Sequence, residues 1–157
     1  MIKTDHKMLE ALTLKAKESR RKRINHNYHQ DASDTLQRML NCIEPESYSR
    51  PHKHENPDKR EAFIILEGSL LVIEYDDNGN VIDHIILNHE KGNYCAEIKI
   101  KSWHNIIALE SGTTVYELKD GPYDLASDKI FAPWAPDEFE PNANRFNTQV
   151  LKTLDLA

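Results

Sequence analysis

The chain holds only two cysteines, Cys42 and Cys95, so it can build neither a disulfide framework nor a cysteine-ligated zinc finger. Each falls in an apolar, strand-like stretch and reads as a buried free thiol. No uninterrupted apolar run approaches the roughly 20 residues that a membrane span needs, and the polar start, Met1 to His6, lacks the apolar core of a secretion signal. Positive charge is not in excess either. A net charge of −6 and a pI near 5.7 leave no basic footprint for nucleic acid. The one dense cationic run, Arg20-Arg21-Lys22-Arg23, reads as a solvated helix end, where cations suit the helix dipole. The expectation is a soluble protein of a reducing cytoplasm with no nucleic-acid or membrane partner. There is no internal repeat and no low-complexity tract.

What is present fits one domain of 157 residues, large enough to bury a core without staples. It divides into a helix with a polar strand over residues 1–30, an all-β body over 31–120 and a Pro- and aromatic-rich extension over 121–157. Met8, Leu9, Leu12 and Ala16 recur at helical spacing, which predicts a helix over about 4–22 with Thr4 or Asp5 as its N-cap. Strands are predicted over 36–43, 62–67 and 69–75 (broken at Gly68), 81–87 after the hairpin turn Asp76-Asp77-Asn78-Gly79-Asn80, then 94–100, 102–109 and 113–119. Short strands at this even spacing point to a barrel or sandwich. The extension, with Tyr123, Phe131, Trp134 and Phe139, is too apolar for a free linker and is expected to wrap the body. Residues 142–157 fit either a short helix or an arm exchanged with a partner.

His52, His54, Glu61 and His104 carry the chemistry. In an extended segment alternate side chains share a face, so His52 and His54 can grip one ion together, with Arg50 on the same side. The spacing is unlike a helical His-Glu-x-x-His site. Three imidazoles and a carboxylate suit Fe, Mn, Ni, Cu or Zn rather than the oxygen-seeking Mg or Ca. On a six-coordinate ion such a set leaves two positions for water or for a substrate bound through two oxygens.

These residues resemble a known family. His52-Lys53-His54, Glu61 and Gly68 are similar to the first cupin motif, and Gly92 with Trp103-His104 to the second. Flanking pieces resemble the WbuC-type cupin-fold metalloproteins found with O-antigen and capsule genes. They are Arg20-Arg21-Lys22-Arg23 leading to Asn25-x-Asn27-x-His29, Leu36 to Asn41, Arg50-Pro51-His52-Lys53-His54, Asp120 to Asp124 and Phe131 to Pro136, over roughly residues 5–138. The resemblance implies an all-β cupin (RmlC-like jelly-roll) barrel, one divalent metal and a homodimer. Three departures stand out: a long gap from His54 to Glu61, in which Glu55 or water could replace Glu61, Lys99 and Lys101 in place of Pro and Gly, and Ala108 in place of Asn.

Asn25, Asn27 and His29 would form a polar rim to the cavity, with His29 or Glu61 as the proton carrier, or else a solvated edge strand. Arg50 would pair with a carboxylate or phosphate of a ligand, or else with Glu117. His6, His84 and His89 read as surface groups, and Trp103, Tyr116, Tyr123 and Trp134 as core or interface rather than sugar-stacking platforms. The expected function is metal-dependent isomerisation, epimerisation or elimination on a small polar metabolite, a sugar or sugar nucleotide of surface-polysaccharide synthesis. The rivals are a metal-containing binding module without turnover and an Fe(II) dioxygenase-like cupin.

Overall fold

A computed structural model describes residues 1–156. Asp5 caps α1 (His6–Glu18) by accepting the Met8 N–H at 2.9 Å. The helix stops sooner than its periodicity predicts, because Ser19 is extended and Lys22 turns with φ 55°. The strands that follow are β1 (Arg23–Asn27), β2 (Leu36–Ile43), β3 (His52–Lys53), β4 (Glu61–Glu67), β5 (Ser69–Tyr75), β6 (Val81–Asn88), β7 (Cys95–Ile98), β8 (Trp103–Ala108), β9 (Thr113–Asp120) and β10 (Ile130–Phe131). They form two five-stranded antiparallel sheets, ordered β1-β2-β9-β4-β7 and β10-β3-β8-β5-β6, which is a jelly-roll sandwich. The chain ends on α2 (Ala143–Thr153); Ala157 lies outside the described residues. Among the described residues no helix is long and apolar enough to cross a membrane.

Three clusters hold this together. Between the sheets, Ile43, Phe63, Ile65, Leu70, Val72, Leu87, Ile106 and Val115 fill one end of the sandwich. Outside the first sheet, Leu9, Leu12 and Ala16 of α1 cover Leu40 and Cys42. Outside the second, Ala132, Trp134, Ala135, Phe146 and Val150 cover Leu71, Ile73, Tyr75 and Trp103, so the extension does wrap the body and ends in a helix. Each fully buried aliphatic side chain here contributes about 1.5–3 kcal/mol through the water it leaves.

Gly68, with φ 78°, joins β4 to β5 where a Cβ would meet Thr113 Oγ1 at 2.5 Å and Thr113 Cα at 2.8 Å, so no side chain fits. Two expectations fail. Cys95 is exposed: on edge strand β7 it pairs with Ile64, itself outward-facing, so alternation points its thiol away from the core. The cationic run is not a solvated helix end. Arg21 and Arg23 pair with Glu138 at 2.7 Å each, and Arg20 lies over the Phe139 ring, so the run fastens the C-terminal extension. Burial, with the Arg21 charge beside it, lowers the Arg23 guanidinium to about 10 despite Glu138.

Candidate metal centre

His52 on β3 pairs directly with His104 on β8, which places both imidazoles on the inner face of the second sheet. His54 follows two residues after His52, and Glu61 opens β4 in the opposite sheet. The four ligand atoms therefore close across the sandwich, all within 4.8 Å of one another. Each residue is at most 4% exposed.

The backbone fixes each imidazole. Nδ1 of His52 donates to the Arg50 carbonyl (3.0 Å), Nδ1 of His104 to the Ser102 carbonyl (2.9 Å), and Nδ1 of His54 to the Asp128 carbonyl. A carbonyl can only accept, so the proton of each neutral ring stays on Nδ1 and Nε2 keeps its lone pair. Those lone pairs converge. His104 and His54 present Nε2 to Glu61 Oε2 at 2.8 and 3.2 Å, and His52 Nε2 is buried without a hydrogen-bond partner among the described residues. Neutral nitrogens and a carboxylate oxygen repel at such distances unless a cation or extra protons lie among them. Burial, then the charge of Lys129, keeps the His52 pKa well below the imidazole range, so this ring is neutral. Burial alone would raise the Glu61 pKa; extra protons shared from His104 and His54 reverse this and hold the carboxyl well below its usual range, so its charge is met only when protons or a cation lie among these atoms. The donor set, the locked tautomers and the orphaned nitrogen all fit a divalent transition metal.

The cluster stands in the wall of a cavity of about 870 Å³, within the size range of small-molecule sites. Asn25 and Asn27 on β1, and His29 just beyond its end, line that cavity. Asn25 Nδ2 sits 3.1 Å from Met39 Sδ, and His29 Nδ1 lies 3.1 Å from both the N–H and the carbonyl oxygen of Arg38, so the Arg38 backbone engages Nδ1 in either tautomer. Arg50 also lines it but does not meet Glu117. Its guanidinium pairs with Asp137, donates to the Ala132 carbonyl at 3.0 Å and lies over Phe131. Glu55 pairs with Lys53 at 2.8 Å and stands apart from the cluster, so Glu61 keeps its place despite the long gap. Lys101 takes the φ of 65° that a glycine would take before His104, and Ala108 packs in the core. Trp103, Tyr116 and Trp134 are core residues, while Tyr123 borders the cavity.

Several site groups escape the motif. The Asp128 carboxylate receives Lys59 Nζ at 2.7 Å and Lys119 Nζ at 2.5 Å, and Lys59 also donates to the Pro122 carbonyl at 2.6 Å. This buried triad fastens the segment after β9 against His54. Glu117, bonded by Asn41 Nδ2 at 3.0 Å, is pushed up to about 7 by burial and then by the Glu61 charge. The available signal was charge at inward positions: Val115, Glu117 and Lys119 alternate along β9 on the face that carries the core.

No curated protein matches the chain. Solved structures similar to it include the capsular polysaccharide assembling protein CapF from Staphylococcus aureus, with TM-score 0.53, 19% identity and 69% of this chain covered. The match takes in 31% of CapF, so the chain corresponds to about a third of that protein. L-ribose isomerase from Cellulomonas parahominis, solved with L-psicose, gives 0.54 at 13% identity, covering 71% of this chain and 69% of the isomerase. The protein TT1209 from Thermus thermophilus gives 0.53 at 18%, covering 76% and 97%. At these identities the likeness concerns the fold, which is that of the cupins. A family model described as a domain of unknown function (DUF6016) matches residues 4–87, more than half of the sequence, and the chain belongs to that family.

Proposed function

We propose that the chain is a metal-dependent enzyme of isomerase, epimerase or lyase type, acting on a sugar or sugar nucleotide of surface-polysaccharide synthesis. The observation that carries this reading is the convergence of three lone-pair imidazole nitrogens and one carboxylate oxygen in the wall of a ligand-sized cavity. Two neighbours of the same fold, a capsular polysaccharide assembling protein and a sugar isomerase, support the substrate class, as does the WbuC-type resemblance of the flanking pieces. The cytoplasmic setting belongs to the same proposal. So does a homodimer, supported by Ile64 and Leu66, exposed beside edge strand β7.

His52, His54, Glu61 and His104 would hold the ion, which when bound supplies Lewis-acid polarisation of a substrate oxygen. Glu61 shares Oε2 between two histidine nitrogens and is a ligand first. Of the two proton carriers expected, His29 is then the freer. Its Nδ1 is fixed by Arg38, so any proton it moves is exchanged at Nε2. Asn25 and Asn27 offer amides to hydroxyl groups along the same wall.

The test is proton NMR of candidate sugars and sugar nucleotides in heavy water with the metal-loaded protein. Exchange of a carbon-bound proton next to a carbonyl is expected, lost in His29→Ala with metal content unchanged. Binding without exchange for every sugar would leave the non-catalytic module as the better account.

A further inference from the structure

Five buried polar side-chain atoms lack a hydrogen-bond partner among the described residues, and three of them, Asn41 Oδ1, Arg50 Nε and His52 Nε2, belong to residues lining the same cavity. Buried orphans are uncommon in folded proteins, and three around one cavity mark groups shaped for a ligand. They ask for different things. Asn41, 7% exposed, offers an acceptor that a hydroxyl can satisfy, and Arg50 Nε offers a donor.

The cavity's positive charges are also unequally engaged. Arg21 and Arg23 are paired with Glu138, Arg50 with Asp137, and Lys119 with Asp128. Lys129 also lines the cavity and makes no salt bridge among the described residues. It is solvent-exposed and lines the cavity together with His52, Glu61, His104 and Glu117, so its charge faces the same space as the histidine cluster. A cation bound at the cluster would add positive charge next to Lys129, and an anion entering there would offset both.

Resting on the functional reading above, we propose that the ligand is an anionic polyhydroxy compound, a sugar acid or sugar phosphate. Its charged group is held by Lys129 beside the His52, His54, Glu61 and His104 cluster, and a hydroxyl donates to Asn41. Lys129 takes the role that the sequence suggests for Arg50, whose guanidinium Asp137 already occupies.

The test is calorimetric titration of the metal-loaded full chain with D-glucuronate, a glucose phosphate and D-glucose. At least one anion is expected to bind about tenfold or more tightly than glucose, as a charge-assisted contact implies. Which anion binds identifies a carboxylate or a phosphate as the group read. Lys129→Met should weaken that anion about tenfold while leaving glucose affinity, metal content and melting temperature alone, and Lys129→Arg should retain it. Glucose matching the anions, no binding of either anion, or an unaltered anion affinity in Lys129→Met would overturn the proposal. The wild-type metal content and the exchange assay are read separately. A chain that binds anions through Lys129 but holds no metal or exchanges no proton sinks the enzyme and leaves this inference standing.

Discussion

The two ends of the sandwich interior are built from the same strands and differ in almost everything else. One residue separates His104 from Ile106 on β8, Glu61 from Phe63 on β4, Glu117 from Val115 on β9 and Asn41 from Ile43 on β2. In each pair both side chains face inward. One set closes a dry apolar cluster, and the other lines a cavity with titratable groups whose pKa values are moved by burial and by each other. The apolar end stabilises the protein. The polar end draws on that stability, since charges and orphaned atoms kept from water cost free energy until a ligand meets them.

The division predicts that each end can be damaged without the other. The largest effect belongs to Leu70, fully buried in the apolar cluster: Leu70→Ala should lower unfolding free energy in urea by about 3 kcal/mol, with metal content unchanged. Loss of metal in that variant would mean that the ends are not separable.

A smaller effect of opposite sign belongs to Glu117. Its carboxyl is raised to about 7, above the ordinary glutamate range, so the folded state disfavours its charge. The cost is absent below about pH 4 and grows as pH rises to 7, where the unfolded chain carries the charge freely. Glu117→Gln in metal-free protein should therefore stabilise by about 1–3 kcal/mol near pH 8, with the gain vanishing near pH 4. Equal stability at both pH values would contradict the burial assigned to this group.

Most of the apolar end was legible in the sequence, because period-two alternation and turn residues mark it locally. β2 spans the residues predicted for it, and the hairpin at Asp76 to Asn80 joins β5 to β6 as expected. The histidine motif named the cluster for the same reason, with His52 and His54 two apart on extended chain. What the sequence hid depends on distant partners. β3 and β10 are two residues long and exist because they pair with each other and with β8. Asp137 reaches Arg50, and Asp128 joins Lys59 to Lys119, across separations that no local pattern encodes. Cys95 looked buried because its neighbours are apolar, but an edge strand has only one covered face.

Elemental analysis of the purified chain beside a His52→Ala/His104→Ala double variant bears most directly on the account. One Fe, Mn, Ni, Cu or Zn per chain in the wild type and none in the folded double variant is the expected result. Equal metal in both, or none in the wild type after loading with each of these ions, would contradict the assignment of the polar end as a metal centre.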